Sequence, residues 1–240
     1  MRVAVVLPAY NEQGNLTPLV TSLAGLSLSG STLGVIVVND GSRDGTAQEL
    51  EALAANTSCL TVIHHAKNQG MARALKTGIA RACSDGWDAL AFMDSDLSHR
   101  PEDLVRLVAA LEDGADVALG SRFVPGGGMV GVPWWRVVIS RTGNLFGRLV
   151  LSVPLRDLTT GYRAFRRPVL ERIDLGEDGF TIQLESVVKA WAAGFRVVEV
   201  PIMLGTRRHG TSSMAYSPKL FRDYWRLLQA CRRWVRQAGA

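Results

Sequence analysis

The chain has 240 residues, 47% of them hydrophobic, which is enough to bury the core of one α/β domain, alone or with a small appendage. Its net charge of +5 and pI of about 9.4 are compatible with binding to nucleic acid, to an anionic membrane surface or to anionic substrates. Three cysteines without a CxxC pair argue against a disulfide scaffold or a metal cluster. No signal-like or membrane-spanning apolar run is found, so we expect a cytoplasmic protein that crosses no membrane.

The first half alternates short apolar runs with longer helical patterns. Strands are predicted at residues 3–7, 35–38, 60–64, 89–93 and 116–120. Helices are predicted between them at 11–26, 44–55, 70–84 and 101–112. This alternation is typical of right-handed βαβ units, so the fold class is α/β with a mostly parallel sheet.

The second half has a different pattern. Glycines at 126–128 and 131 predict a flexible loop. Further helices are predicted at 134–153, 168–173, 180–193 and 218–236, and short strands at 163–165 and 196–200. No repeat or low-complexity linker divides the chain, so we expect both halves to share one domain.

Polar residues follow three of the predicted strands, at 8–12, 39–42 and 94–96. Ligands of open α/β sheets bind at the carboxyl ends of the strands. One polar strand end alone is as often a simple turn, but three at one sheet edge indicate a binding site.

Asp94 and Asp96 are the sharpest of these signals. Two carboxylates so close are costly unless a cation lies between them. Mg²⁺ or Mn²⁺ fits, because these ions take carboxylate and diphosphate oxygens together. Ser98 and His99 stand just beyond and extend the set of metal ligands. The alternative is an Asx turn that caps the helix beginning near Pro101.

Several short motifs occur in a fixed order: PAYNE at 8–12, VNDGSRDGT at 38–46, NQGMARALKTG at 68–78, DSDLSH at 94–99, GSRF at 120–123 and TTGYRAFRR at 159–167. Together they resemble glycosyltransferase family 2, and most of all its dolichyl- and polyprenyl-phosphate mannose synthases, over about residues 3–213. The resemblance implies a GT-A fold, with a Rossmann-like nucleotide-sugar-binding half at 1–120 and an acceptor-binding half at 121–215. Residues 216–240 would form a basic amphipathic C-terminal helix.

The same resemblance implies the donor site. Four residues would hold the nucleoside of a nucleotide-sugar: Pro8, Tyr10, Asn11 and Glu12. Glu12 has a second interpretation, as a first-turn carboxylate that suits the helix dipole. Asp40 would accept a hydrogen bond from the base. Asn68 and Gly70 open a helix where a phosphate or sugar can approach, although Gly70 is equally well a plain loop glycine.

The metal would be held by Asp94 and Asp96, with Ser98 a weaker ligand. Asp94 would also serve the diphosphate of the donor. Some synthases carry a glutamine ligand at the position of Ser98. Serine is a weaker ligand, so the alternative is that Ser98 contacts the metal through a water molecule. The expected cofactor is one divalent cation, Mg²⁺ or Mn²⁺.

The acceptor phosphate would be bound by Arg122, Arg136 and Ser140, and Arg207 would contact the phosphates of donor or acceptor. Arginine suits this role because its planar fork binds phosphate bidentately. The residues implied to be catalytic are Asp96, Arg122, Arg136 and Arg207. The last motif departs from the family, because Ser213 stands where a lysine is usual.

The implied reaction moves mannose from GDP-mannose to polyprenyl phosphate with inversion. A phosphate nucleophile needs no strong base, whereas a hydroxyl acceptor, the main alternative, would need Asp157 or Glu185. Gln183 and Glu185 are expected to face the sugar pocket; the alternative for Glu185 is a structural role, for example as a partner of Arg163. A sugar-nucleotide pyrophosphorylase is less favoured, because residues 8–12 lack the glycine-rich loop of that class.

Two amphipathic segments predict a peripheral position on the cytoplasmic membrane face. The helix after residue 133 offers Trp134, Trp135, Val138 and Leu145 beside arginines. The C-terminal helix offers Phe221, Trp225, Leu228 and Trp234 among basic residues. The alternative is that these side chains cover the core. No recognised module supports nucleic-acid binding, so nucleic acid is not an expected partner.

Overall fold

A computed structural model of the protein describes residues 1–207 and 218–238. The strands are β1 Arg2–Ala9, β2 Thr32–Asn39, β3 Leu60–His64, β4 Ala89–Phe92, β5 Val117–Ser121, β6 Gly128–Met129, β7 Arg163–Arg166, β8 Val197–Pro201 and β9 Met203–Leu204. The helices are α1 Leu16–Ala24, α2 Thr46–Ala54, α3 Met71–Ser84, α4 Asp103–Glu112, α5 Trp134–Leu151, α6 Arg167–Arg172, α7 Ile182–Ala192 and α8 Pro218–Ala238. Ser213 and its neighbours lie outside the described residues.

The main sheet has seven strands in the order β3-β2-β1-β4-β7-β5-β8. Every neighbouring pair is parallel except those of β7, which runs antiparallel to both β4 and β5. The predicted α/β class with a mostly parallel sheet is confirmed. The reversed strand was not predicted, because four residues carry no signal of direction.

The central strands are buried on both faces, which explains their continuous apolar runs. In β1, Val3, Val5 and Leu7 belong to one core cluster, while Ala4 and Val6 belong to the other. The alternation follows from the two-residue period of a strand. Both clusters stop where the polar residues of the strand ends begin.

The segment between β1 and α1 differs from its prediction. Asn11 has a left-handed backbone with φ 54°, and the helix begins only at Leu16. Asparagine tolerates this conformation better than most residues, so the chain turns there. Glu12 therefore does not lie in the first turn of a helix, and that interpretation of Glu12 is wrong.

The glycine loop after β5 is more ordered than predicted. Gly128–Met129 forms β6, which pairs in parallel with β9. A Cβ added at Gly127 would lie only 2.3 Å from the carbonyl oxygen of Ser121. The glycines there allow close backbone approach as well as turning.

Helix α8 packs against α7 and α5. Leu227, Leu228 and Cys231 are buried in the core, and Trp234 packs against it beneath the ammonium of Lys189, 4.4 Å from the ring centroid. Leu228 and Trp234 were predicted to face a membrane, and that part of the prediction is wrong because they cover the core. Among the described helices, none combines the length and the hydropathy needed to span a membrane.

Candidate active site

The loops after β1 and β2 are tied to each other. The backbone N–H of Asn11 donates to Ser42 Oγ at 2.9 Å, and Asn11 Oδ1 accepts from the backbone N–H of Arg43 at 2.8 Å. The N–H of Glu12 donates to Thr46 Oγ1 at 2.9 Å. These bonds hold the predicted nucleoside-binding segment in place. Tyr10 is exposed beside it and leaves a ring face available.

Asp40 lies at the end of β2 and is only 2% exposed. Its carboxylate accepts the backbone N–H groups of Gln69 at 2.9 Å and Gly70 at 2.7 Å, and lies 2.7 Å from His65 Nδ1. Gly70 has φ 92° and precedes α3, and Asn68 beside it is exposed. Asp40 thus fixes the main chain before α3, and its contact with a base stays a prediction.

The loop after β4 carries Asp96. Its Oδ1 accepts from the backbone N–H of Ser98 at 3.0 Å and from the Ser98 hydroxyl at 2.6 Å. Leu97 between them has φ 63°, a strained conformation for leucine. In the structure Ser98 acts as a donor to Asp96, and its role as a metal ligand stays a prediction. Asp96 therefore forms an Asx turn, as the alternative predicted, but the N-cap of α4 is Glu102 and has no side-chain cap, so the helix-capping part of that alternative is wrong.

Asp94 is held from one side by His99, whose buried Nε2 lies 3.4 Å from Asp94 Oδ2. Burial by itself would raise the pKa of Asp94, but His99, Arg163 and Arg207 outweigh it and hold that pKa below its usual value. A Cβ at Gly161 would lie 2.9 Å from Asp94 Oδ2. A glycine is therefore required beside this carboxylate.

Arg207 bridges the two halves of the chain. Its Nη1 lies 2.9 Å from Glu12 Oε1, and its Nε lies 3.3 Å from Asp96 Oδ2. Glu12 Oε2 also accepts from Asn15 Nδ2 at 2.7 Å. Burial raises the pKa of Glu12, and the Asn15 hydrogen bond and the Arg207 charge only partly offset that rise. The structure thus brings together three predicted residues: Glu12, Asp96 and Arg207.

The residues around Asp94 and Asp96 fit a divalent cation. Within residues 1–207 and 218–238, no three His, Cys, Asp or Glu side chains group as a metal site. Mg²⁺ does not need three such side chains, because it is commonly held by one or two carboxylates together with substrate phosphates. The missing side chain at Gly161 leaves space next to both oxygens of Asp94.

On the side predicted to bind the acceptor, Arg122 forms a bidentate ion pair with Asp157. Arg122 Nε donates to Asp157 Oδ2 and Nη2 donates to Oδ1, both at 2.7 Å, and the backbone N–H of Arg122 adds a third bond. Arg122 Nη2 also donates to Thr159 Oγ1 at 2.9 Å. The Asp157 side chain is 0% exposed. The guanidinium is therefore fixed, and Asp157 is committed to it.

Asn144 is a site residue that the sequence reasoning missed. Its Nδ2 donates to Thr159 Oγ1 at 3.0 Å, and its Oδ1 accepts from the backbone N–H of Leu158 at 2.7 Å. Asn144 lies one and two turns after Ser140 and Arg136 on the same helix face. It therefore anchors the face that carries them to the loop that holds Arg122. An asparagine on the buried face of an otherwise apolar helix is the feature of the sequence that could have indicated this role.

Glu185 does not face the cleft. It is 1% exposed and accepts the backbone N–H groups of Gly176 and Glu177, each at 2.9 Å, and the Lys189 ammonium at 2.8 Å. The alternative of a structural role for Glu185 is confirmed, although its predicted pair with Arg163 is wrong. Arg163 contacts the carbonyl of Gln183 instead.

Known proteins match this chain closely. It is 41% identical over 220 residues to the polyprenol monophosphomannose synthase of Mycolicibacterium smegmatis, covering 90% of this chain and 82% of that protein. It is 39% identical over 218 residues to the undecaprenyl-phosphate mannosyltransferase of Micrococcus luteus, covering 90% and 88%. The dolichol-phosphate mannosyltransferase of Pyrococcus furiosus is 33% identical over 236 residues, and this chain spans 64% of its length.

Solved structures show the same fold. Glucosyl-3-phosphoglycerate synthase of Mycobacterium tuberculosis, in complex with Mn²⁺, UDP and phosphoglyceric acid, superposes with a TM-score of 0.70 at 20% identity, covering 96% of this chain and 78% of that one. The complex of that enzyme with Mg²⁺ and UDP gives 0.67. The fold is of the GT-A type. The sequence model described as Glycosyl transferase family 2 matches residues 4–174, and the chain belongs to that family.

Proposed function

We propose that the protein transfers mannose, with inversion, from GDP-mannose to a polyprenyl phosphate, using a divalent cation. The names of the three relatives support a mannosyl donor and a polyprenyl phosphate acceptor. GDP as the nucleotide rests on the resemblance of the motifs to the mannose synthases. The choice of acceptor rests on one feature of the site, which is that the carboxylates predicted to act as a base are already bound to other groups.

A hydroxyl acceptor needs a carboxylate that can take its proton. The two residues predicted for that task are both committed elsewhere. Asp157 is fully buried against Arg122, and Glu185 is buried against Lys189 and two backbone N–H groups. A phosphate acceptor is already anionic and needs no such base. This arrangement favours the phosphate over the hydroxyl alternative.

On the donor side, Tyr10 offers a wall for the base, and Pro8, Asn11 and Glu12 shape the rest of that pocket. Asp94 and Asp96 would hold the cation, which stabilises the negative charge that develops on the departing diphosphate. Arg207 reaches the same place and would move from the carboxylates to a phosphate oxygen. Transfer then depends mainly on positioning and charge.

On the acceptor side, Arg122, Arg136 and Ser140 would hold the phosphate. Asp157 and Thr159 orient Arg122 before any ligand binds, so less conformational entropy is lost on binding. Arg136 and Ser140 lie on α5, which Asn144 anchors to the same loop. The Nε and Nη2 donors of Arg122 are committed to Asp157 and Thr159, so Arg122 would act on the phosphate mainly through its charge, and Arg136 would add charge-assisted N–H donors.

The decisive experiment is a donor screen that measures release of nucleoside diphosphate, run with polyprenyl phosphate, with the uncharged polyprenol, and with no acceptor. We expect GDP release from GDP-mannose that requires both a divalent cation and the phosphorylated lipid. Equal release with polyprenol would contradict the phosphate acceptor. Faster release from a UDP-sugar would contradict the donor.

A peripheral membrane position is part of the proposal. Large apolar side chains stand exposed on α5 and α8, including Trp134 at 77% and Leu149 at 68%, and Phe146 stacks on Trp225 with ring centroids 5.8 Å apart. Exposed basic residues accompany them on both helices: Arg141, Arg222, Arg226, Arg232 and Arg233. An apolar face with basic flanks suits the interface of an anionic leaflet.

Flotation with anionic liposomes tests this position. Trp134→Ser combined with Leu149→Ser should weaken binding, and added salt should weaken it further. Val105→Ser is the matched control, because Val105 is exposed on α4, away from this face. A wild-type protein that stays in the soluble fraction at low salt would contradict membrane docking.

A further inference from the structure

Arg163 is a buried cation that the mechanism above does not use. It begins β7, pairs in register with Phe92 of β4, and is 1% exposed. Its Nη1 donates to the carbonyl of Gln183 and, at 3.1 Å, to the Ser186 hydroxyl. Its Nη2 is buried and finds no hydrogen-bond partner among residues 1–207 and 218–238.

Stability alone does not explain this arginine. A buried charge is costly, and an apolar side chain of similar volume is often as stable or more so in such a position. Burial lowers the pKa of Arg163 to about 9, and Asp157 and Asp94 act against that shift. Arg163 therefore lies in the field of one carboxylate from each side of the active site.

A small cavity of about 20 Å³ lies beside Arg163. Its polar lining includes Asp94, Arg163 and Gln183, with Gly161 between them, and most of the remaining wall is apolar. The cavity separates the loop that follows β4 from the first turn of α7. Since Arg163 is bonded to that first turn and stands in the strand next to β4, it sets the distance between the two walls.

We propose that Arg163 is a positioning residue of the donor site, which holds Gln183 opposite Asp94 so that the sugar of the donor meets a fixed wall. This inference rests on the proposed function, because it presumes a nucleotide-sugar at Asp94. Arg163 acts through the backbone of α7 and touches no reacting atom.

Arg166 provides a matched control on the same strand. Its Nε and Nη2 donate to the carbonyls of Ala115 and Leu111 at 3.1 and 2.6 Å. It pairs with Ala89 at the amino end of β4, which is the end opposite to the site. Removal of its guanidinium also breaks bonds to main-chain carbonyls, but none of them belongs to the donor site.

The test compares Arg163→Met, Arg163→Lys and Arg166→Met. Calorimetric titration with GDP-mannose and Mn²⁺ gives donor affinity, steady-state kinetics give the KM of each substrate, and thermal melts report folding. We expect Arg163→Met to fold and to lose about tenfold in donor affinity with an unchanged acceptor KM. Arg163→Lys should recover part of the loss, because its ammonium still reaches a carbonyl. Arg166→Met should bind the donor normally.

Donor affinity in Arg163→Met equal to that of Arg166→Met would overturn the inference, and so would an acceptor KM that rises as much as the donor KM. Should Arg163→Met fail to fold, Arg163→Lys decides: wild-type donor affinity would overturn the inference, and a loss at unchanged melting temperature would support it. If the wild-type protein did not bind GDP-mannose with Mn²⁺, the proposed function itself would fall.

Discussion

The proposed donor and acceptor sides of the cleft use buried carboxylates in opposite ways. Asp40, behind the donor loops, accepts backbone N–H groups and so fixes the main chain. Asp157, behind the acceptor side, accepts a guanidinium and so fixes a cation. On the proposed donor side, Asp94 and Asp96 are the charged groups near the expected ligand, and on the proposed acceptor side it is Arg122. The two carboxylates therefore suit a metal ion, and the guanidinium suits a phosphate.

The two sides also differ in how they are supported. The loops of the proposed donor side are cross-linked, at the ends of central strands, by hydrogen bonds from backbone N–H groups to side-chain oxygens. On the proposed acceptor side, Arg136 and Ser140 depend on α5, much of whose surface is exposed and which Asn144 anchors, while Arg122 follows β5 and is held by Asp157. Changes on the donor side should therefore act mainly on donor binding and chemistry, and changes on the acceptor side on acceptor binding.

The largest effect is expected for Asp96→Asn. Loss of the carboxylate at the metal position should lower turnover about a thousandfold, because the leaving diphosphate loses its stabilisation. The fold should survive, since the contacts of Asp96 in the described part of the chain are with Ser98 and Arg207, and none of them lies in the core. Turnover with Mn²⁺ and thermal melts check this, with the exposed Asp85→Asn as control. Full activity in excess chelator would contradict the metal assignment.

Asp157→Asn should be the most destabilising change on the acceptor side. It leaves the Arg122 guanidinium buried without its counter-charge, at a cost of about 3 kcal/mol in the free energy of unfolding. Chemical denaturation measures this cost. The double variant Arg122→Met with Asp157→Leu should regain stability while the acceptor KM stays high. If the double variant bound the acceptor normally, the pair would be purely structural.

Asp40→Asn is the corresponding change on the donor side. The amide cannot accept both backbone N–H groups before α3, so unfolding should become easier by about 2 kcal/mol. We expect the donor KM to rise and the acceptor KM to stay constant. The opposite outcome in steady-state kinetics would remove the distinction between the two sides.

Arg136→Ala should have the smallest effect of the four. Loss of one charge-assisted contact should raise the KM for a short, water-soluble polyprenyl phosphate about tenfold, or about 1.4 kcal/mol, and leave the donor KM unchanged. The soluble acceptor keeps membrane docking out of the measurement. Arg81→Ala, an exposed arginine on α3, controls for net charge. A shift in the donor KM alone would place Arg136 on the wrong side.

The donor side was largely predictable from sequence. Strands buried on both faces produce unbroken apolar runs, and the polar residues after them mark the sheet edge, so residues 8–12, 39–42 and 94–96 could be placed together. The error at Glu12 came from the left-handed backbone of Asn11, which delays α1. That backbone conformation depends on the hydrogen bonds of Asn11 to Ser42 and Arg43, more than thirty residues away.

The acceptor side was less predictable, because its contacts join distant segments. The pair between Arg122 and Asp157, and the bonds of Asn144 to the loop after Asp157, depend on how α5 crosses the sheet. The same is true of Arg163, whose predicted partner Glu185 proved to be held by Lys189. The arginines could be identified from local sequence patterns, whereas their partners could be identified only from the tertiary structure.

The reversed strand β7 also bears on the order in which the protein folds. β7 lies between β4 and β5, and it comes from residues 163–166, after most of the chain has been synthesised. Until then β4 is paired only through β1 and has one open edge, and β5 has neither of its partners, β7 and β8. Open strand edges invite association with other chains. A fragment that ends near residue 120 should therefore aggregate, although it holds nearly all of the predicted donor site. We therefore expect the predicted nucleotide-binding half to depend for its folding on the half that follows it.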